Sequence, residues 1–541
     1  MNRKLRYLIL FPIFSSLPLL AQKTVTGTVT DEAGARLPGV NILVKGTTAG
    51  TVTGSDGIYS ISVPQEHVSE GILVFSFIGY TTREIVIDNQ SSIDVNLVPD
   101  AQTLSEVVVV GYGTMKREDI SGAVASVQTK DLPVVANTSI DHLLQGRAPG
   151  LNLTQRSAQP GGGLSINIRG AISPRGGNSP LYVIDGVPIF NNSTPEQGLS
   201  DSNLGFAGGV DRNPLNSINP SDIESIDILK DASATAIYGS SAANGVVLIT
   251  TKRGSEGPVR VDYRGSYTVQ TPKDYITLFD ATEFMQQHNR LARDRYLFLN
   301  DIAPYGTTDP SSVPGFVPAF SDSDISGAGA GTDWLDLLTR NGSINDQNVS
   351  ISGGSAKTKI YTAFNYYNNK AIVENSDFVR YTGRVNVDQE LGSRVRLGLR
   401  LMASQINNNN VSSGANDGGV EKYNMLQAAF AFSPTRSVFD DAGNYTKSFD
   451  TQITNPAAFL IMKDETRTNR VLLAPSLDFT ILDGLKATVI GGIDKQSSLR
   501  DFYLPRKVAN FQLPNGMAQK SSSNIGNYST EAYLSFDKTF G

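Results

Sequence analysis

A strict alternation of apolar and polar residues constrains this sequence more than any other feature. From position 259 to 270, the odd positions hold valine, tyrosine or glycine, and the even positions hold arginine, aspartate, serine, threonine or glutamine. Successive side chains of a strand point to opposite faces, so the segment predicts a long strand with one apolar and one polar face. The run is long enough for a tilted strand to cross a bilayer, which takes about 9–11 residues.

Other segments repeat this pattern. Arg380–Asp388 alternates polar residues with tyrosine, glycine and valine, and Arg394–Met402 sets arginines against valine and leucine. Leu485–Ile493 and Ala532–Phe536 also alternate, and Lys359–Tyr367 adds aromatic residues typical of the girdles at membrane interfaces. Lipid outside and a wet lumen inside explain why arginines cluster on one face only. A half-buried soluble sheet is the alternative.

Composition narrows the classes of protein that remain. The chain has 541 residues, 51 glycines and a formal net charge of −6. The length and the many glycines are typical of several domains of turn-rich β structure. The negative net charge does not indicate a basic surface for binding nucleic acid. The sequence contains no cysteine, which excludes disulfides, thiolate metal sites and cysteine nucleophiles.

The first residues predict a secretory signal peptide. Three basic residues among the first six precede an apolar core over 7–20, which is too short to span a membrane. Ala21 supplies the small residue expected at a cleavage site, so the mature protein is predicted to begin near Gln22. No other run of 18 or more apolar residues occurs in the sequence, so a membrane role would use β-strands.

Residues 23–99 predict a small β-sandwich, because turn signals recur about every ten residues. Four consecutive valines, Val107–Val110, follow this block. β-Branched residues favour extended backbone, and Gly111 and Gly113 end the run. An apolar, β-prone segment in a connector is suited to joining the sheet edge of a partner, and an ordinary buried strand is the alternative.

Residues 119–254 predict a mixed α/β domain with glycine-rich loops. A turn is predicted at Asp185-Gly186, directly after a compact apolar strand. Asp231 is placed to cap a short helix over 232–238, which Gly239 would end in a left-handed conformation. Strands are predicted over 165–169, 181–184, 223–230 and 246–251.

Two sets of motifs resemble known families. "VTGTVTDEAGARLPGVNILVKGTTAGTVTGSDGIYSISVP" followed by "LVFSFIGYTTREIVI" resembles the carboxypeptidase-regulatory-like domain, a non-catalytic module. "LLQGRAPGLNL", "SINIRG", "PLYVIDGVPI" and "LNSINPSDIESIDILKDASATAIYGSSAANGVVLITTKRG" occur in that order and resemble the plug domain of TonB-dependent outer-membrane transporters. The spacing of the two blocks resembles the SusC/RagA-like group of Bacteroidetes.

This resemblance implies an importer in the cell outer membrane, with its N-terminal domains in the periplasm and with neither a cofactor nor enzymatic activity. The implied partners are TonB with its inner-membrane energising complex, a SusD-like surface lipoprotein as a lid, outer-membrane lipid, and a solute such as an oligosaccharide or peptide. In the family, the segment just ahead of the plug is the TonB box. By position, the residues that match it are Glu106, Val107, Val108, Val109 and Val110.

No catalytic or metal site can be assembled from the sequence. The histidines His67, His142 and His288 are far apart and lack the spacing of metal ligands. The loop Pro160–Gly163 lacks the Lys-Ser/Thr of a phosphate-binding loop, and Gly239-Ser240-Ser241 lacks the glycine spacing of a nucleophile elbow.

Charged residues have simpler interpretations than an acid/base pair. Asp185, Asp227 and Asp231 are interpreted as turn and cap residues. Three arginines of the alternating segments are expected to solvate the lumen, to pair with plug carboxylates or to contact an anionic solute: Arg394, Arg396 and Arg400.

The predicted fold is mostly β, with an N-terminal β-sandwich, an α/β plug domain and part of a transmembrane antiparallel β-barrel. Plugged barrels have about 22 strands, whereas about eight to ten are recognisable here, so the sequence is interpreted as part of a longer protein. A cell-surface adhesion or structural β-protein and a secreted hydrolase are the alternatives. The predicted regions are a signal peptide over 1–21, the carboxypeptidase-regulatory-like domain over 22–99, the TonB-box linker over 100–118, the plug over 119–254 and the partial barrel over 255–541.

Overall fold

A computed structural model gives the architecture and divides the chain into two compact units, Met1–Val107 and Val108–Gly541. The predicted signal peptide lies outside the described residues. Residues 107–110, 113–116 and 232–233 are described by their backbone only. The described residues are 23–32, 34–47, 49–64, 68, 71–77, 80–98, 107–110, 113–116, 124–129, 139–140, 144–155, 158–170, 178–189, 213–273, 276–411, 425–449, 453–508 and 515–538.

The first unit is a sandwich of two sheets with strand orders β4-β1-β7 and β3-β2-β5-β6. Inward-facing residues of both sheets, such as Val25, Ile42 and Phe75, share one apolar core. The predicted β-sandwich is therefore confirmed, although β3 has only three residues and shows no alternation in the sequence. The strands are β1 Lys23–Asp31, β2 Asn41–Val44, β3 Gly50–Val52, β4 Ile58–Val63, β5 Ile72–Ser76, β6 Arg83–Val86 and β7 Val95–Leu97.

A two-stranded sheet of β8 Val107–Val110 and β9 Gly113–Lys116 spans the point in the sequence where the first unit ends and the second begins. A mixed five-stranded sheet follows, with the order β10-β15-β16-β13-β14, in which β13 runs parallel to β16. A separate hairpin joins β11 to β12. The strands are β10 Val124–Gln128, β11 Leu151–Gln155, β12 Leu164–Ile168, β13 Leu181–Ile184, β14 Val187–Pro188, β15 Ile223–Leu229 and β16 Val246–Thr251.

Short helical turns connect these strands, which confirms the mixed α/β domain. The Asp185-Gly186 turn is present, and both residues have positive φ, at 50° and 88°. The prediction for Gly239 was wrong: its φ of 61° and ψ of −150° kink the chain, and helical turns continue beyond it. The helix is Ala232–Thr235, and the 3₁₀ turns are Pro214–Ser217, Pro220–Asp222 and Ala236–Ala242.

The largest element is an eight-stranded antiparallel sheet in which each strand pairs with its neighbours in sequence, from β17 to β24. In β19, alternate residues from Tyr361 to Asn369 are buried, and Phe364 on the opposite face is exposed. Long alternating strands are thereby confirmed. They are β17 Gly257–Gln270, β18 Gly342–Gly354, β19 Thr358–Lys370, β20 Asp377–Leu391, β21 Val395–Asn409, β22 Lys463–Leu482, β23 Leu485–Leu504 and β24 Met517–Phe536.

The two ends of this sheet differ in their connections. At one end, the turns 355–357, 392–394 and 483–484 contain at most three residues. At the other end, the connections include 271–341 and 410–462. We call these the short-turn end and the long-loop end. Outer-membrane barrels have the same asymmetry, with short periplasmic turns and longer extracellular loops.

The long loops carry their own helices. The longest helix is Ala281–Leu299, which begins with a capping box between Asp280 and Glu283. Strand β21 continues to Asn409, into the asparagine-rich stretch 407–410. The remaining helices are Asp322–Gly327, Trp334–Leu338 and Met425–Ala431, with 3₁₀ turns at Pro310–Ser312, Pro456–Ile461 and Arg506–Val508.

Among the residues that the structure describes, none of the helices combines the length and the apolar character that a membrane crossing requires.

Candidate functional site

One polar face of the eight-stranded sheet is buried against the α/β domain. The sequence predicts that this face lines a wet lumen, but the α/β domain covers much of it. Alternation identified the residues that share the face, although it carries no information about what packs against them. On β20 the buried polar residues are Arg380, Thr382, Arg384, Asn386 and Asp388.

Arg380 holds the backbone of the α/β domain. Its Nη1 donates to the carbonyl oxygens of Asn216 and Ile218 at 3.0 and 3.1 Å. The guanidinium also lies over the ring of Tyr367, 5.2 Å from the centroid. Because the Arg380 side chain is fully buried, these contacts replace its lost hydration and fix the position of this turn.

Arg384 reaches two carboxylates of the same domain. Its Nη1 lies 3.5 Å from Oδ2 of Asp185, and its Nε lies 3.6 Å from Oδ2 of Asp222. The Asp185 carboxylate also accepts hydrogen bonds from the backbone and hydroxyl of Thr251, at 3.0 and 2.7 Å. The Asp185 turn therefore joins β13, β16 and the large sheet in one polar cluster.

Asp222 is a buried carboxyl of this cluster. Its Oδ1 accepts a hydrogen bond from the Tyr361 hydroxyl at 3.1 Å. Burial raises the pKa of Asp222 above its ordinary value of 3.8, while the positive charge of Arg384 opposes the shift. At this site, burial therefore disfavours the charged form of the Asp222 carboxyl more than the neighbouring groups favour it.

Asn386 is another buried polar residue of β20 and lies nearer to the short-turn end than Arg384 does. Its Nδ2 donates to the carbonyl oxygen of Lys252 at 2.7 Å and to the hydroxyl of Thr251 at 3.1 Å. Lys252 donates from Nζ to the carbonyl of Ser221 at 2.7 Å, and burial lowers the pKa of its ammonium. Contacts with β20 therefore extend from residue 216 to residue 252.

Neighbouring strands add further contacts. Arg470 on β22 forms a two-pronged ion pair with Asp494, at 2.8 and 2.7 Å, and donates to the carbonyl of Pro214 at 2.8 Å. Asn219 donates to Oδ1 of Asn348 on β18 at 2.8 Å. The α/β domain is thus bound to at least three strands of the sheet.

A repeated Asn-Pro pair builds the segment that makes these contacts. Asn213 and Asn219 each precede a proline that starts a 3₁₀ turn, and each side chain accepts a hydrogen bond from the backbone two residues later. Proline is suited to a first helical position because its fixed φ matches and it lacks the unpaired N–H. The second Asn-Pro pair lies inside "LNSINPSDIESIDILK", and the first pair directly precedes it. These two pairs are the sequence signal from which the contact segment could have been predicted.

Several residue interpretations change. Asp231 directly precedes the helix Ala232–Thr235, where its carbonyl accepts from the N–H groups of Ala234 and Thr235, and its carboxylate also pairs with Arg169. Asp227 lies inside β15 instead of in a turn. Arg396 and Arg400 both bind Asp388 of the sheet, at 3.1 and 2.7 Å, rather than carboxylates of the α/β domain. Arg394 precedes the first residue of β21.

The described histidine packs among aromatic rings. His288 lies 5.8 Å from the ring of Phe284 and 5.5 Å from the ring of Phe320, between centroids. His67 and His142 lie outside the described residues. Within the part of the chain that the structure describes, no group of three or more His, Cys, Asp or Glu side chains is arranged to hold a metal ion.

The predicted partner-binding strand is extended. Val107–Val110 forms β8 and pairs with β9, and Glu106 lies outside the described residues. The sheet holds these two strands alone among those described. Since a strand has two edges, β8 keeps one edge that no described strand occupies.

Two family models match parts of the chain. The TonB-dependent receptor plug domain matches residues 116–246, and the CarboxypepD_reg-like domain matches residues 25–110. The first match covers the polar contacts at 185 and 213–222, and the second covers the sandwich.

Relatives extend the similarity beyond these domains. The chain is 32% identical to the TonB-dependent receptor P3 of Formosa agariphila over 96% of this chain and 47% of the relative. It is 34% identical to the TonB-dependent receptor SusC of Bacteroides thetaiotaomicron over 82% of this chain and 39% of the relative. The chain thus spans less than half the length of these curated relatives.

A solved structure shares the fold. The RagAB peptide importer in its closed-closed state superposes with a TM-score of 0.57 at 21% identity, over 78% of this chain and 46% of that one. The plug match, the sandwich match and the similarity to SusC and P3 agree with one another. Over the residues that it shares with these relatives, the chain belongs to the SusC-like TonB-dependent receptors.

Proposed function

We propose that this protein takes part in the TonB-dependent uptake of a solute across the outer membrane. The observation that carries the proposal is the bonding of the plug, 119–254, to the polar face of the sheet by Arg380, Arg384 and Arg470. A folded domain seated on that face would obstruct a barrel lumen, so passage of a solute would require its displacement.

In this proposal, Glu106 and Val107–Val110 form the segment that TonB binds. The open edge of β8 supports it, because an added strand would gain main-chain hydrogen bonds there. Tension on this segment would displace part of the plug. The outer face of the sheet exposes apolar residues such as Val349, Phe364 and Tyr381, which is suited to lipid.

The long-loop end would face outward. A SusD-like lipoprotein would close over it as a lid, and an oligosaccharide or a peptide would be the solute. The similarity to SusC, a TonB-dependent receptor, supports TonB-dependent uptake. The similarity to RagAB, a peptide importer, supports a peptide as the solute.

Deletion of residues 104–113 in the full-length protein tests the proposal. Uptake should be lost while binding of the solute at the cell surface remains. A more specific test compares uptake by the variants Val108→Pro and Val108→Thr. Proline removes a main-chain N–H that an added strand would need, whereas threonine keeps both the N–H and a β-branched side chain. Uptake that survives both the deletion and Val108→Pro would overturn the proposal and favour a surface adhesion protein.

A further inference from the structure

The outer face of the large sheet, which points away from the plug, changes from apolar to polar along β24. Its exposed residues from position 528 to 536 are tyrosine, threonine, alanine, leucine and phenylalanine, whereas those from 518 to 526 are alanine, lysine, serine, asparagine and glycine. A tilted strand needs about 9–11 residues to cross the hydrocarbon of a bilayer, and the stretch 528–536 alone supplies that length. The polar half therefore lies beyond the hydrocarbon, on the side of the long-loop end.

The neighbouring strands change at the same level. On β22, the exposed outer residues at 463, 465 and 467 are lysine, glutamate and arginine, and the outer residues from Val471 onward are mostly apolar. Leu473 pairs with Ile493, which in turn pairs with Tyr528. A charged belt thus follows directly above the apolar band, where the headgroups of the outer leaflet would lie.

An open hollow of about 300 Å³ lies in this charged belt. Lys463 pairs across the strands with Tyr503, and Glu465 pairs with Asp501, which has Lys520 on its other side. The two lysines therefore stand on opposite sides of the hollow, one on β22 and one on β24. Since each molecule of liquid water occupies about 30 Å³, the hollow has room for one sugar ring with a phosphate group.

Positive charge exceeds negative charge around the hollow. In the part of the chain that the structure describes, Lys463 forms no ion pair, and Lys520 lies 3.2 Å from Asp501 in a pair whose side chains are 69% and 50% exposed. An exposed pair of this kind contributes little, so Lys520 stays available to another anion. Directly after β23, a 3₁₀ turn adds two exposed basic residues, Arg506 and Lys507.

The groups in the hollow fit a phosphorylated sugar better than a simple anion. The two lysines can each donate to one phosphate, and the carboxylates of Glu465 and Asp501 can accept from sugar hydroxyls and amide N–H groups. The Tyr503 side chain is 48% exposed, and tyrosine is suited to the boundary between lipid and water because its ring is apolar and its hydroxyl is polar. A phosphate without a sugar would meet the same carboxylates only as like charges.

Resting on the outward orientation of the long-loop end in the proposed function, we infer that this hollow binds the phosphorylated sugar headgroup of an acylated glycolipid of the outer leaflet. The acyl chains of such a lipid would run along the apolar band of β22 to β24. The bound lipid would surround the transporter and would be distinct from the solute that it takes up.

The double variant Lys463→Gln/Lys520→Gln of the full-length protein tests this assignment. Both side chains are exposed, and glutamine removes the charge while keeping a hydrogen-bond donor. The matched control is Lys486→Gln/Lys538→Gln, which removes two exposed lysines from surface ion pairs at the short-turn end. Binding is measured by native mass spectrometry of delipidated protein in detergent, titrated with monophosphoryl lipid A, with the same lipid after dephosphorylation, and with phosphatidylglycerol.

We expect monophosphoryl lipid A to bind more tightly than either comparison lipid. The Lys463→Gln/Lys520→Gln variant should bind it about tenfold or more weakly, and the control should differ by less than about twofold. No binding of lipid A, native-like binding by the double variant, an equal loss in the control, or equally tight binding of phosphatidylglycerol or of the dephosphorylated lipid would overturn the inference. The assay needs neither TonB nor the solute, so its outcome is independent of the uptake experiment.

Discussion

Oδ2 of Asp185 lies 3.5 Å from Nη1 of Arg384, although 199 positions separate the two residues in the sequence. Both side chains are almost fully buried. Asp185 sits in a turn of the plug and Arg384 in the middle of β20, so the pair connects the two parts of the molecule whose separation transport would require.

Removing the arginine of this pair should destabilise the docked plug. Arg384→Met removes the guanidinium that pairs with Asp185 and Asp222 and leaves both carboxyl groups buried. Loss of one partner of a buried ion pair lowers the free energy of unfolding by about 3–5 kcal/mol. The measurement is chemical denaturation of the full-length protein in detergent.

The matched control for that change is Arg396→Met. Arg396 also binds a carboxylate, but its side chain is 39% exposed, so its loss should cost at most about 1 kcal/mol. Equal effects of the two substitutions would show that Arg384 does not hold the plug.

Asp222 should make plug stability depend on pH. Its pKa is raised in the folded protein by burial, so the folded state binds this proton more tightly than the unfolded chain does. The associated stability is complete below the ordinary pKa and is lost as pH rises through the raised value. Denaturation from about pH 4 to about pH 8 should therefore show the native protein losing stability relative to Asp222→Asn. A stability difference that stays constant with pH would contradict this role.

Alternation in the sequence identified six of the eight strands of the large sheet, all except β18 and β22, and did not identify what packs against them. Alternation predicted that Arg380, Arg384 and Asn386 share a face, because a strand has a period of two. It did not predict that the plug covers this face, because contacts such as Arg380 with Asn216 join residues more than 160 positions apart.

The extent of the final strand was underestimated for a local reason. The final strand was predicted only over Ala532–Phe536, whereas β24 begins at Met517. Its first half, with "KSSSN", has too few apolar residues to show a pattern, and pairing with β23 extends it.

Two glycines with the same backbone conformation allow strain to be separated from packing. Gly161 and Gly146 have φ values of 73° and 74°. An added Cβ would lie 2.7 Å from the ring of Phe378 at Gly161, and would meet nothing within 4 Å at Gly146. Gly146→Ala should cost about 1–2 kcal/mol from the left-handed backbone, and Gly161→Ala about 1–3 kcal/mol more from overpacking. Denaturation of both variants checks this, and equal losses would contradict the close approach of the Gly161 turn to the sheet.

The contact between Val107–Val110 and TonB is the central claim, and disulfide cross-linking in cells tests it most directly. The chain has no cysteine, so single cysteines at 107, 108, 109 and 110 can each be paired with cysteines along the periplasmic domain of TonB. Ser60, which is exposed on β4 of the sandwich, serves as the control position. We predict cross-links within 107–110 whose yield alternates along the run, because neighbouring side chains of an added strand point to opposite faces, and none at Ser60. The absence of cross-links at all four positions, or equal yield at Ser60, would contradict the account.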